Sequence, residues 1–218
     1  MARYDAALFD MDGVIVDNHS YHEQAWIAFC KKYGVHLTPD DYKQSINGRT
    51  VTEVVQFIFE AQAITPEQVR TYGQEKEAAY RDLYGPHLTP TPGVIAVLEQ
   101  INKAKVPCAV ATSAPSANVD FTLDGLGLRH YFQNIIDEHG VTKGKPDPEI
   151  YLKSAEGVGI APERCLVFED AISGIKAAQN AGMGVIALAT THRPEELQAL
   201  NPTAIITDFR DLIFEDWF

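Results

Sequence analysis

The feature that most constrains this chain is a short apolar run followed by two aspartates. Ala6–Phe9 is apolar throughout and typical of a buried strand, and Asp10 and Asp12 follow directly. In an extended chain, residues two apart point to the same side, roughly 6 to 7 Å apart from Cα to Cα. Both carboxylates are therefore expected to face one spot at the sheet edge where open α/β folds bind ligands. Gly13 allows the tight turn that follows.

Two carboxylates at one point repel each other unless a cation lies between them or one of them takes a proton. Both outcomes suit phosphoryl transfer, because a metal-bound carboxylate can attack phosphorus and a carboxylic acid can protonate the leaving group. Acidic pairs are common in loops. A pair that follows a strand and precedes a glycine near the N-terminus is a stronger indication.

Length and composition indicate a globular intracellular protein. The chain has 218 residues, of which 45% are hydrophobic, which predicts one large domain or one domain with an insertion. No apolar run approaches the ~18 residues of a membrane span, and the first five residues lack the apolar region of a signal peptide. Cys30, Cys108 and Cys165 are scattered, which favours buried thiols in a reduced, cytoplasmic protein. We expect no membrane association and a monomer.

The net charge of −12 argues against a nucleic-acid partner, because phosphate backbones require basic surfaces. A small phosphorylated metabolite remains compatible with that charge, since a metal ion and helix N-termini can make a cleft locally attractive to anions.

Residues 18–88 read as a run of helices without a convincing strand. Three helix starts carry capping signals: Thr38 before Pro39, Thr50 with Glu53, and Thr65 with Gln68. The segment ends in a Pro-rich connector at residues 89–93, which resembles a domain hinge. This organisation predicts a helical domain inserted after the first strand.

From residue 92 onward, helices and strands alternate. We expect strands at 108–111, 134–136, 165–168 and 185–188, helices at 94–103 and 172–181, and a helix capped by Ser116. Alternation of this kind predicts a doubly wound parallel sheet with helices on both faces.

Three of the expected strands end in polar residues: Asp10 and Asp12, Thr112 and Ser113, and Glu169 and Asp170. In a parallel sheet these ends share one edge, and hard oxygen donors are the ligands that Mg²⁺ selects. Thr112 and the following backbone N–H groups can bind phosphate, and Lys145, beside Pro146, can neutralise it. Alternatively, Lys145 is a solvated loop lysine, and the acidic pair at 169–170 only stabilises the start of the next helix.

Together these motifs resemble the haloacid dehalogenase-like hydrolase superfamily, in particular its β-phosphoglucomutase-like phosphatase branch, over the whole chain. The resemblance implies a Rossmann-like catalytic core at 1–17 and 89–218 and a helical cap at 18–88. It implies that Asp10 is the nucleophile and forms an aspartyl-phosphate, and that Asp12 is the general acid and base and binds Mg²⁺ through its carbonyl. It also makes Asp170 a metal ligand, with Glu169 binding directly or through water. True dehalogenases lack the second acid, so Asp12 argues against carbon–halogen cleavage.

In the cap, the resemblance implies that His22, Trp26 and Lys76 lie near the substrate. From the residues alone, His22 and Trp26 read as helix packing and Lys76 as a surface lysine. Gly48 and Arg49 lie in a loop expected to contact substrate. Arg49 comes one position after Gly48, whereas the mutase pattern places its arginine three positions after the glycine, which argues against a bisphosphate clamp. Asn47 stands where a pyrophosphatase would be expected to carry glutamate, which argues against that activity.

The leading hypothesis is a Mg²⁺-dependent phosphatase acting on a small phosphorylated metabolite, in particular a sugar phosphate. One alternative is a β-phosphoglucomutase that interconverts hexose 1- and 6-phosphates. An alternative of a different class is a non-catalytic protein that binds phosphorylated metabolites. The retention of both Asp10 and Asp12 disfavours it.

Overall fold

The computed structural model describes residues 3–42, 46, 50–60 and 62–218. The chain divides into two compact units, Met1–Asp17 with Thr89–Phe218, and Asn18–Leu88. The first unit contains a six-stranded, all-parallel sheet, and the second is helical in its described residues. The expected α/β class with an inserted helical domain is confirmed.

The strands of the sheet are β1 (Ala6–Phe9), β2 (Cys108–Ala111), β3 (Asn134–Ile136), β4 (Cys165–Glu169), β5 (Gly184–Leu188) and β6 (Ala204–Ile206). Their order is β3-β2-β1-β4-β5-β6, so β1 is central and pairs with β2 on one side and β4 on the other. Strand β6 was not expected from the sequence. It is a three-residue strand at the edge of the sheet, beside β5.

Helices flank the sheet at α5 (Val94–Ala104), α6 (Ser116–Gly125), α7 (Glu149–Val158), α8 (Ile172–Asn180) and α9 (Pro194–Gln198). The expectation that Ser116 caps α6 is wrong. Pro115 occupies the N-cap, and the Ser116 hydroxyl instead donates a hydrogen bond to the Asp137 carboxylate.

The two faces of the sheet bury different residues of the same strands. Leu8 and Val167 belong to an apolar cluster that includes residues of α7 and α8. Phe9 points to the opposite face, where its ring stacks on Phe168 with centroids 4.7 Å apart and also lies near Phe209. The two-residue period of each strand therefore decides which side chains at its end face α7 and α8.

The inserted unit contains α1 (His19–Lys32), α2 (Pro39–Asp41), α3 (Val51–Ile58) and α4 (Pro66–Tyr84). All three expected capping signals form: the side chains of Thr38, Thr50 and Thr65 each accept a hydrogen bond from the backbone three residues on. The apolar core of the unit is built from buried residues of α1, α3 and α4 with their flanking segments. Within the described residues, no helix is both long and apolar enough to cross a membrane.

Candidate active site

Asp10 and Glu169 occupy equivalent places at the ends of neighbouring strands. Phe9 pairs with Phe168 in the register of β1 and β4, so Asp10 and Glu169 come next along the two strands. Asp10 lies two residues after Leu8, and Glu169 two residues after Val167, so both side chains point to the face that packs against α7 and α8. Both carboxylates are buried.

Lys145 joins these two carboxylates. Its Nζ lies 2.8 Å from Oδ1 of Asp10 and 2.5 Å from Oε1 of Glu169, and it also donates to the carbonyl of Ala111 at 3.3 Å. Only 7% of the Lys145 side chain is exposed, so it is not a solvated loop lysine. The loop before α7 thus delivers a buried ammonium group to the ends of β1, β2 and β4.

The Lys145 loop is held by the first residue of α7. Glu149 Oε2 accepts hydrogen bonds from the backbone N–H groups of Thr142 and Lys143, at 3.0 and 2.9 Å, and from the Thr142 hydroxyl at 2.8 Å. The ammonium group of Lys153, followed by these contacts, lowers the pKa of Glu149 to about 2. The loop is therefore anchored on both sides of Lys145.

Asp170 adds a third acid to the site. One oxygen each from Asp10, Glu169 and Asp170 lie within 4.8 Å of one another, and all three residues are buried. Burial raises the pKa of Asp10 to about 7, against the opposing effect of Lys145. Burial and the charges of Glu169 and Asp10 raise the pKa of Asp170 well above its ordinary value. The cluster is therefore electrostatically unfavourable when fully ionised, and a bound cation would relieve it.

The donor set fits a magnesium ion. Three buried carboxylates present hard oxygens at one point without a cysteine or histidine among them, which is the chemistry that Mg²⁺ prefers. Burial alone would lower the pKa of Lys145. The carboxylates of Asp10 and Glu169 nevertheless raise it well above its ordinary value, so the lysine stays charged beside the cluster.

Asp12 lies near Asp10 and helps to raise its pKa. The turn after Asp12 needs a glycine for two reasons. Gly13 has a φ of +76°, and a Cβ at this position would collide with the Asp170 carboxylate. This turn therefore packs directly against the acidic cluster.

Thr112 follows β2 and is buried, and Ser113 is exposed. The Thr112 N–H pairs with the Ile136 carbonyl, and its hydroxyl oxygen accepts a hydrogen bond from the Ala114 N–H at 3.1 Å. The Ala114 N–H is therefore used within the turn. At this strand end, the Thr112 hydroxyl hydrogen and Ser113 are the groups that would bind phosphate.

In the inserted unit, His22, Trp26 and Lys76 lie together. Lys76 Nζ is 2.8 Å from Nδ1 of His22, 2.8 Å from Oε1 of Glu77 and 5.1 Å from the Trp26 ring centroid. Lys76 is 1% exposed, so the interpretation of a surface lysine is wrong. Burial, together with the charge of Lys76, lowers the pKa of His22 well below its ordinary value, so its imidazole is neutral. Trp26 packs in the apolar core of this unit.

The other residues expected to contact substrate, Gly48 and Arg49, lie outside the described residues, as does Asn47.

Three residues that were not expected at the site contact it. The Tyr151 hydroxyl donates to Glu169 Oε1 at 2.9 Å, the Thr190 hydroxyl donates to the Gly13 carbonyl at 2.6 Å, and the Thr191 hydroxyl bonds Asp170 Oδ2. The two threonines follow β5, whose carboxyl end lies at the same sheet edge as those of β1, β2 and β4. Extending the strand-end rule to β5 would have found them. Tyr151 carried no such signal, because an aromatic residue in a helix reads as core.

The fold is that of one enzyme family. The family model for haloacid dehalogenase-like hydrolases matches residues 7–188, and the chain belongs to this family. The fructose-1-phosphate phosphatase YqaB of Escherichia coli is 34% identical over 84% of this chain and 96% of its own length. The validoxylamine A 7'-phosphate phosphatase of Streptomyces hygroscopicus subsp. limoneus is 32% identical over 89% of this chain and 90% of its own.

Among solved structures, the β-phosphoglucomutase of Clostridium difficile superposes with a TM-score of 0.84 at 27% identity. The match covers 98% of this chain and 95% of that one. The resemblance to the β-phosphoglucomutase-like branch is confirmed. The named relatives are phosphatases, and the present protein is a phosphohydrolase.

Proposed function

We propose that this protein is a Mg²⁺-dependent phosphatase that hydrolyses a small phosphomonoester, in particular a sugar phosphate, through a phosphoryl group carried on Asp10. The observation that carries the proposal is the cluster of Asp10, Glu169 and Asp170 with Lys145 bonded to two of its carboxylates. The two phosphatase relatives, one of which is named for fructose 1-phosphate, support the substrate class.

In the proposed first step, a carboxylate oxygen of Asp10 attacks phosphorus and the bond from phosphorus to the substrate oxygen breaks. Asp12 protonates that oxygen as it leaves. In the second step, water attacks the aspartyl-phosphate, Asp12 takes the water's proton, and inorganic phosphate leaves with Asp10 restored.

The remaining residues bind and orient. Lys145 neutralises the nucleophile and a phosphate oxygen, and Thr112 and Ser113 supply further hydrogen bonds to phosphate. Asp10, the Asp12 carbonyl and Asp170 would hold Mg²⁺, with Glu169 binding directly or through water. When bound, Mg²⁺ supplies the positive charge that lets the acids and a phosphate share one site. In the cap, His22, Trp26, Lys76, Gly48 and Arg49 are proposed to face the substrate.

A screen of phosphate release over a panel of phosphorylated sugars and other small metabolites tests this function. We expect turnover that requires Mg²⁺, is lost in excess chelator and is abolished by Asp10→Asn, because an amide cannot attack phosphorus. Phosphate release that persists in chelator would contradict the metal requirement. Parental turnover by Asp10→Asn would contradict the nucleophile.

The second candidate, a β-phosphoglucomutase, is favoured by the likeness to the Clostridium difficile enzyme. Incubation with β-glucose 1-phosphate, with and without the 1,6-bisphosphate, separates the two. We expect free phosphate and glucose from a phosphatase, whereas accumulation of glucose 6-phosphate would assign the chain as a mutase. The position of Arg49 next to Gly48 favours the first outcome.

A further inference from the structure

Two hydroxyl groups beyond the expected site each hold one of the adjacent carboxylates after β4. We propose that Tyr151 and Thr191 are positioning residues that orient Glu169 and Asp170 for a divalent cation. This inference rests on the proposed function, because it concerns the same metal site.

Tyr151 fixes the orientation of Glu169. Tyr151 is fully buried on α7, and its hydroxyl shares Glu169 Oε1 with Lys145, at 2.9 and 2.5 Å. The other oxygen, Oε2, accepts the backbone N–H groups of Asp170 and Ala171, each at 2.9 Å. Four hydrogen-bond donors thus fix the orientation of the Glu169 carboxylate next to Asp10 and Asp170.

Tyr151 also contacts Lys145, whose ammonium group bonds the same carboxylate oxygen. Lys145 Nζ lies 5.2 Å from the Tyr151 ring centroid, within the range of a cation–π contact. The ring and the hydroxyl of Tyr151 therefore hold Lys145 and Glu169 against each other. Without the hydroxyl, Glu169 Oε1 would lose one of the two donors that hold it, and Lys145 would have the larger share in setting its position.

Thr191 fixes the orientation of Asp170, the second of the two adjacent acids. Its hydroxyl bonds Oδ2, and the Gly13 turn lies so close to the same oxygen that a Cβ would not fit. Oδ2 is confined between these two groups. By holding Oδ2, Thr191 also sets the rotation of the Asp170 carboxylate and therefore the position of its other oxygen, Oδ1.

Fixed carboxylates matter because χ torsions that end in a carboxylate are broad and lose freedom when a cation binds. A hydrogen bond that holds the ligand beforehand reduces that loss. Removing such outer contacts typically weakens metal affinity by about 10- to 100-fold.

The test measures Mg²⁺ binding to the full chain by titration calorimetry without substrate, so that its readout is independent of turnover. We expect Tyr151→Phe and Thr191→Val each to raise the Kd for Mg²⁺ by about 10-fold or more. Thr191→Ser keeps the hydroxyl and should restore the parental Kd within about 3-fold.

Matched controls remove hydroxyls that do not touch the carboxylates. Ser154→Ala lies on the same helix as Tyr151, is equally buried, and loses only a bond to the Ile150 carbonyl. Thr203→Val removes a hydroxyl that accepts from the Val185 N–H. Both should bind Mg²⁺ like the parent.

Parental affinity in Tyr151→Phe and Thr191→Val would overturn the assignment while leaving the proposed function intact. Equal weakening in the controls would also overturn it, because the effect would then be general destabilisation. A parent chain that binds no Mg²⁺ would overturn the metal requirement of the proposed function and this assignment together.

Discussion

The ammonium group of Lys145 lies 2.8 Å from Oδ1 of Asp10, although 135 positions separate the two residues along the chain. The parallel sheet makes this contact possible, because the ends of β1, β2 and β4 meet at one edge and the loop before α7 passes over it. A second contact, at 2.5 Å to Glu169, places the same charge between two acids. The positive charge of Lys145 therefore offsets part of the negative charge of the acidic cluster.

Replacement of Lys145 by methionine should lower kcat/KM by at least about 100-fold, or about 2.7 kcal/mol, because the charge that neutralises both the nucleophile and the incoming phosphate is lost. Steady-state kinetics with the substrate found in the screen measures this. Lys143→Met is the matched control. The Lys143 side chain is 72% exposed and pairs with Asp147 at 3.6 Å, so its kcat/KM should stay within about 2-fold of the parent. Equal kinetics for the two variants would remove Lys145 from the chemistry.

In the absence of metal, Asp170→Asn should stabilise the protein at alkaline pH. Burial and the charges of Glu169 and Asp10 raise the pKa of Asp170 in the folded state, so the proton is bound more tightly there than in the unfolded chain. The resulting stability is present below the unfolded pKa of about 3.9 and is lost as pH rises through the folded pKa. An asparagine does not ionise and avoids this loss.

Thermal unfolding in chelator at pH 5 and pH 8 measures the difference. At pH 8 we expect the variant to melt about 2 to 8 °C above the parent, the shift that about 1 to 2 kcal/mol produces at this chain length. The difference in melting temperature between variant and parent should be smaller at pH 5. Excess Mg²⁺ should stabilise the parent and not the variant, since only the parent keeps the ligand. A variant that is less stable than the parent at pH 8 would contradict the repulsion described here.

Lys76→Met should destabilise the inserted unit by about 3 to 5 kcal/mol, because it removes the ammonium that lies 2.8 Å from the buried carboxylate of Glu77. Lys32→Met is the control. Lys32 also pairs with a glutamate, at 2.7 Å, but its side chain is 62% exposed, so its loss should change the free energy of unfolding by less than about 1 kcal/mol. Chemical denaturation of the full chain compares the two. Similar losses in both would show that burial does not decide the strength of the Lys76 pair.

Much of the core could be predicted because its signals are local. The strands at 6–9, 108–111 and 134–136 have the expected bounds, since each is an apolar run between turn residues. In the inserted unit, the helix caps expected at Thr38, Thr50 and Thr65 formed for the same reason: a threonine and a residue three positions on satisfy each other without help from the rest of the fold.

What could not be predicted depends on tertiary packing. Lys76 carries no sequence mark of burial, because a lysine in a polar helix is ordinarily solvated. Tyr151 reaches Glu169 only through the rotation of α7 against the sheet, which no local pattern sets. Thr191 follows β5 at the same sheet edge, so the strand-end rule extends to it.

The central claim is that Asp10 carries the phosphoryl group. Its most direct test uses Asp12→Asn with an aryl phosphate. The aryl leaving group needs no proton, so the first step does not require Asp12. Hydrolysis of the phosphoryl-enzyme does require the base that an asparagine at this position cannot supply, so the intermediate should accumulate. Rapid-quench measurements should show a burst of one aryl alcohol per chain and one phosphoryl group on the peptide that contains Asp10. The double variant Asp10→Asn with Asp12→Asn should carry no phosphoryl group on this peptide. A linear release without a burst, or a phosphoryl group on another residue, would contradict the account.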